Sequence, residues 1–208
     1  MPLDLWLAFV AASTALLLIP GPTVLLVLSY ALSQGKRVAV ASASGVACGD
    51  LIAMTASLAG LGALVLTSAL LFTALKWGGA AYLIWLGIKL LRAPAAHGLE
   101  ATTQPDSTAG QVFVHTATVT ALNPKSIAFF IAFVPQFVKV SQPLIPQFAI
   151  LIATFVGLAA INAFAYALAA DRLRQTIRKP AVITWLTRCG GLALIAMGVL
   201  TATLRRTA

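Results

Sequence analysis

The chain has 208 residues, of which 60% are hydrophobic and 9% charged, against about 45–50% apolar and about 25% charged in soluble domains. That imbalance excludes an ordinary water-soluble globule, and it equally excludes a disordered chain, which needs low hydrophobicity and high charge. The formal net charge is +9, yet the basic residues fall between apolar runs and form no long patch, so they suit loops at a membrane surface and not a nucleic-acid interface.

Six apolar runs follow one another, each able to supply the roughly 20 residues of a membrane span. The first covers residues 5–32 and is interrupted by Pro20-Gly21-Pro22. It lacks the basic start of a signal peptide, carries Asp4 instead, and reads as an uncleaved span. The second covers 38–61 and contains Asp50; a nearly uncharged connection at 62–72 leads to the third, 73–91. A polar stretch at 92–110 separates these from the fourth run, 112–138, which holds Asn123-Pro124-Lys125. The fifth run, 144–169, ends at a basic segment, 171–179, and the sixth covers 184–204. Runs of this length are too long for barrel strands of about 9–11 residues. The expected fold is an all-α integral membrane bundle of six transmembrane helices.

Charge sets the expected orientation. Lys36, Arg37, Lys89, Arg92, Arg172, Arg174, Arg178, Lys179 and Arg188 lie on one side, and Lys76, Lys139, Arg205 and Arg206 on the other. The richer side faces the cytoplasm by the positive-inside rule, so both termini face outward.

An internal repeat is visible. Lys76-Trp77-Gly78-Gly79 and Arg188-Cys189-Gly190-Gly191 each open an apolar helix, and the offset of 112 residues between them also carries Asp50 onto Asn162. Spans one and four both hold a proline-centred break. Three spans per half is an odd number, so the halves are inverted in the membrane, as in many transporters. One membrane domain is therefore expected over 1–208, with a first repeat at 1–92, a cytoplasmic linker at 93–110 and a second repeat at 111–208.

The residues that carry chemistry sit at the breaks. Two prolines around Gly21 remove N–H donors and free carbonyls, which in lipid need partners or a wet cavity; substrate-site lining is favoured over a purely structural kink. Asp50 is the one acid inside a span, and burying it costs several kcal/mol unless it is paired or protonated. That suits proton coupling or amine binding; capping a broken helix is the competing role. Lys125 follows Asn123-Pro124 and is placed to pair with Asp50, to bind a substrate carboxylate, or to snorkel to a vestibule. Asn123 offers a donor and an acceptor. Gly45 and Gly49 form a small-residue face for helix packing, which is also compatible with a homodimer. Pro135-Gln136-Phe137 and Pro146-Gln147-Phe148 read as turn or interface features. Cys48 and Cys189 read as plain apolar-run thiols, and with only His97 and His115 in the chain a metal site is not expected. No catalytic set and no phosphate-binding loop is present, so no enzyme activity and no cofactor are expected, and transport would draw on an ion gradient.

The order Pro20-Gly21-Pro22, Gly35-Lys36-Arg37, Gly45 with Gly49-Asp50, Gly79-Ala80-Ala81-Tyr82-Leu83 with Leu86-Gly87, and Leu122-Asn123-Pro124-Lys125 with Pro135-Gln136-Phe137 resembles the LysE/RhtB family of small amino-acid exporters over nearly the whole chain. It is most similar to the RhtB-like branch, which exports threonine, homoserine and its lactone, leucine and similar solutes. The resemblance implies a bacterial inner-membrane exporter driven by the proton gradient. It implies an amino-acid substrate bound by Pro20, Gly21, Pro22, Asp50, Asn123, Pro124 and Lys125, with Asp50 exchanging a proton for the substrate ammonium. Cadmium or other cation export, as in some relatives, and a non-transporting scaffold subunit are the rival readings.

Overall fold

The computed structural model describes residues 1–18, 21–67, 69–93, 107–139, 142–177 and 180–203. These form α1 (Leu3–Leu18), α2 (Pro22–Gln34), α3 (Lys36–Thr67), α4 (Ala69–Leu91), α5 (Ala109–Ala121), α6 (Pro124–Ala132), a 3₁₀ turn (Val134–Phe137), α7 (Leu144–Ile177) and α8 (Pro180–Thr203). No strand occurs among the described residues.

The helices break where the sequence loses donors or gains caps. Gly21 takes an extended conformation at the N-cap of α2, and Pro22 occupies its first turn, where a missing N–H costs nothing. Asn123 caps α6 by accepting a hydrogen bond from the Lys125 backbone N–H at 3.1 Å, with Pro124 in the first turn. Thr108 and Gln111 form a capping box that starts α5. The α1–α2 pair bends by 53° and the α5–α6 pair, taken through the 3₁₀ turn, by 44°.

Several boundaries differ from the sequence expectation. The connection expected at 62–72 is largely helical, because α3 runs to Thr67 and α4 starts at Ala69. The basic segment after span five belongs to α7 as far as Ile177; Arg, Leu and Gln are good helix formers and no proline intervenes. Two helices, Lys36–Gly62 and Leu144–Ala170, are long and apolar enough to cross a membrane. Counting each bent pair as one span raises this to four among the described residues, where six are expected. The expected linker falls mostly outside the described residues.

Glycine seams set the helix directions. A Cβ on Gly45 would lie 2.6 Å from the Phe113 carbonyl, and one on Gly49 would lie 2.5 Å from the Ala117 carbonyl, so α3 and α5 run parallel at backbone contact. Gly191 meets Gly87, while Gly198 meets Ala80 and Ile84, so α4 and α8 run antiparallel. The Gln34 side chain accepts from the Ser107 N–H at 3.2 Å, which places the end of α2 beside the start of α5.

A phenylalanine cluster anchors the second break. Phe129, Phe130 and Phe155 are fully buried. Phe130 meets Phe155 edge-on with centroids 4.8 Å apart, and Phe9 meets Phe137 at 5.3 Å. Such pairs add about 0.5–1.5 kcal/mol each beyond the area they bury. They tie α1, α6, the 3₁₀ turn and α7 into one core, on which the polar groups of both breaks are mounted.

Candidate functional site

The broken end of α1 supplies the first elements of the site. In an unbroken helix the Leu16 carbonyl would accept from residue 20, but that residue is proline and has no N–H. The orphaned oxygen is taken by the Lys125 ammonium at 3.3 Å. The neighbouring Leu17 carbonyl accepts from the Asn162 side-chain amide at 3.2 Å. Thus two side chains from α6 and α7 satisfy the carbonyl end of α1, which is also the negative end of its dipole.

The second break faces the first. While the Asn123 side-chain oxygen caps α6, its amide donates to the Thr23 hydroxyl at 3.2 Å, in the first turn of α2. One asparagine therefore holds together the N-terminal ends of α2 and α6. Both ends present positive dipole to the space between them.

That space is a narrow cleft with an internal volume of about 30 Å³, room for water as it stands, so a larger guest requires the helices to part. Gly21, Asp50, Asn123, Lys125 and Asn162 line it together with the apolar side chains of Val24, Val27 and Val46. Asp50 is buried at 3% exposure. Its carboxylate and the Lys125 ammonium attract each other across the cleft, so the pair costs less to bury than two separate charges would.

Of the seven residues singled out from sequence, the structure brings Gly21, Asp50, Asn123 and Lys125 to one cleft. Pro124 begins α6 and is exposed, shaping the break without lining the cleft. Pro22 begins α2, and Pro20 lies outside the described residues. Gln136 is used elsewhere: it donates to Thr201 at 2.6 Å and joins the 3₁₀ turn to α8. Gln147 clamps the turn before α7 through the Lys139 N–H and carbonyl. The sequence reading missed Thr23, Ser126 and Tyr166, which also line the cleft. Thr23 and Ser126 each directly follow a proline-centred break, and Tyr166 stands one helical turn after Asn162, but nothing in the sequence separates these hydroxyls from the others in the apolar runs.

A bundle of apolar helices with two broken helices and an acid and a base in one shared cleft has the build of a membrane translocator. The chain belongs to the LysE family: the LysE type translocator model matches residues 14–205. It is 37% identical over 99% of both chains to the homoserine/homoserine lactone efflux protein of Salmonella typhimurium. It is 36% identical over 98% of both chains to an uncharacterized membrane protein of Vibrio cholerae. A leucine efflux protein of Salmonella choleraesuis is 33% identical, with 68% of this chain and 66% of that protein covered. No solved structure matches.

Proposed function

We propose that the chain is a secondary exporter of small amino acids or their derivatives, driven by the proton-motive force across a bacterial inner membrane. The observation that carries the reading is the single cleft in which Asp50 and Lys125 meet the ends of both broken helices. A zwitterion needs an acid for its ammonium and a base for its carboxylate, about one residue apart. Asp50 and the α1 carbonyls offer the first; Lys125 and the helix N-termini offer the second. The family membership and the efflux names of the two Salmonella relatives support an amino-acid substrate.

In this mechanism the substrate ammonium enters from the cytoplasm and displaces a proton from Asp50. Release outward is followed by reprotonation of Asp50 from the outside. Protonation changes the balance between inward- and outward-open states, because the bound proton and the bound ammonium stabilise them differently. The Lys125 ammonium leaves the Leu16 carbonyl to meet the substrate carboxylate, so loading loosens the α1 end.

The same reading covers the architecture. The chain forms one membrane domain of two inverted three-helix repeats, 1–92 and 111–208, joined by a cytoplasmic linker at 93–110. The α4 and α8 helices, 23 and 24 residues long, are the remaining two of six spans, and both termini face outward. The parallel α3–α5 pair and the antiparallel α4–α8 pair both agree with that alternation.

The test is efflux from cells preloaded with a panel of radiolabelled amino acids. Cells carrying the wild-type protein, Asp50→Asn, or no protein are compared with and without a protonophore. Faster wild-type efflux, abolished by the substitution and by the protonophore, is expected. Equal efflux in all three cells, with the protein present in the membrane, would sink the exporter and favour cation transport or a scaffold role.

A further inference from the structure

Once the charges have fixed the backbone of the substrate, the rest of the cleft must meet its side chain. That remaining wall comes from α2 and α7. On α7, Ala159, Asn162, Ala163 and Tyr166 all line the cleft, at the spacing that puts residues on one helical face. On α2, Val24 and Val27 face the same space.

The polar atoms of this wall are not used up by the protein. The Asn162 amide nitrogen is committed to the Leu17 carbonyl. Its side-chain oxygen and the Tyr166 hydroxyl have no hydrogen-bond partner among the described residues. Neither atom belongs to the buried, unsatisfied groups of the described residues, which are Ser13, Thr120 and Thr184 hydroxyls. Both are therefore within reach of something that enters the cleft. An acceptor and a hydroxyl one turn apart suit a substrate hydroxyl, which donates to one and accepts from the other. The valines and alanines beside them offer apolar contact to a short hydrocarbon chain. Among the described lining residues the one acid is Asp50, already assigned to the α-ammonium, so a second cationic group would find no counter-charge.

We infer that Asn162 and Tyr166 form a side-chain subsite that selects short, neutral amino acids bearing a hydroxyl group. The inference rests on the exporter reading and adds to it the determinant of specificity. It also gives the inverted repeat a functional asymmetry. The position that carries a carboxylate in the first half, Asp50, carries an amide in the second, Asn162. One binds the ammonium common to all substrates, and the other reads what distinguishes them.

The test uses L-homoserine and L-norvaline, which share a three-atom side chain and differ by hydroxyl against methyl. Efflux from proteoliposomes loaded with each is measured for the wild-type protein, Tyr166→Phe and Asn162→Leu. The readout is the homoserine-to-norvaline rate ratio. The wild type is expected to favour homoserine by about 2- to 13-fold, the worth of one neutral hydrogen bond, and each substitution is expected to bring the ratio toward one. Tyr166→Phe removes a single oxygen and keeps the packing. Thermal stabilisation of the purified wild-type protein by each amino acid provides a second readout that needs no variant. A wild-type ratio near one, or a ratio that neither substitution changes, would overturn the subsite while leaving the exporter intact. Wild-type export of neither amino acid, and of no other in the panel, would overturn both.

Discussion

The Lys125 ammonium of α6 donates to the Leu16 carbonyl of α1 at 3.3 Å, so a charge from the second half of the chain caps the broken end of the first. The same lysine faces Asp50. Its removal strands a carboxylate that is 3% exposed, and breaking such a pair costs about 3–5 kcal/mol. Lys125→Met and Asp50→Asn are each expected to lower the thermal unfolding midpoint in detergent. The double variant, which strands neither charge, is expected to unfold above both single variants and still to transport nothing. A double variant less stable than either single one would refute mutual compensation.

The parallel seam between α3 and α5 makes a second prediction. Gly49→Ala would push a methyl to 2.5 Å from the Ala117 carbonyl and 2.6 Å from the Thr120 Cβ. Overpacking of that kind costs about 1–3 kcal/mol. Gly60, on the same helix, has nothing within 4 Å of the added methyl, so Gly60→Ala is expected to be neutral or mildly stabilising. Chemical denaturation of both variants in the same detergent measures the contrast.

Asn123 has two separable duties. Asn123→Ala loses the cap of α6, worth about 1 kcal/mol, and the bond to Thr23. Asn123→Asp keeps an oxygen for the Lys125 N–H but gives up the amide that donates to Thr23. The aspartate variant is expected to recover most of the stability lost in the alanine variant. It is not expected to recover efflux, because it adds a negative charge where the proposed function puts the substrate carboxylate. Unfolding midpoints beside efflux rates separate the two duties.

Orientation is testable with single cysteines in a background where Cys48 and Cys189 are replaced by serine. Arg37→Cys is expected to react with an impermeant maleimide only after the membrane is opened. Gln142→Cys is expected to react from outside in intact cells. Both residues are exposed and lie at opposite ends of the proposed spans. The reverse pattern would place the side richer in basic residues outside and overturn the charge argument.

The cleft-lining residues were more legible in the sequence than the helix boundaries were. A proline deletes an N–H whatever surrounds it, so the breaks at Gly21 and Asn123 follow from covalent chemistry. A lone acid and a lone lysine in apolar runs have few ways to survive except near each other. The offset that carries Asp50 onto Asn162 pointed to a residue that the structure places in the cleft. Thr23, Ser126 and Tyr166 were not found, because hydroxyls are common in membrane helices and only the surrounding helices decide which ones face a cavity. The overrun of α3 and α7 past their expected ends has the same origin. Hydropathy marks where a helix enters water, and a helix with no proline or cap to stop it continues beyond that point.

The glycine seams also divide the molecule mechanically. Each joins a helix of the first half to one of the second with backbone against backbone, a contact that tolerates little sliding because packed surfaces resist continuous deformation. With α3 stitched to α5 and α4 to α8, neither pair can easily slide half against half. The joints at Gly21 and Asn123, each the N-cap of a helix that starts at a proline, would then serve as the pivots. Access to the cleft would alternate by short helices swinging against these pairs, and cross-links across either seam should leave the transport cycle running.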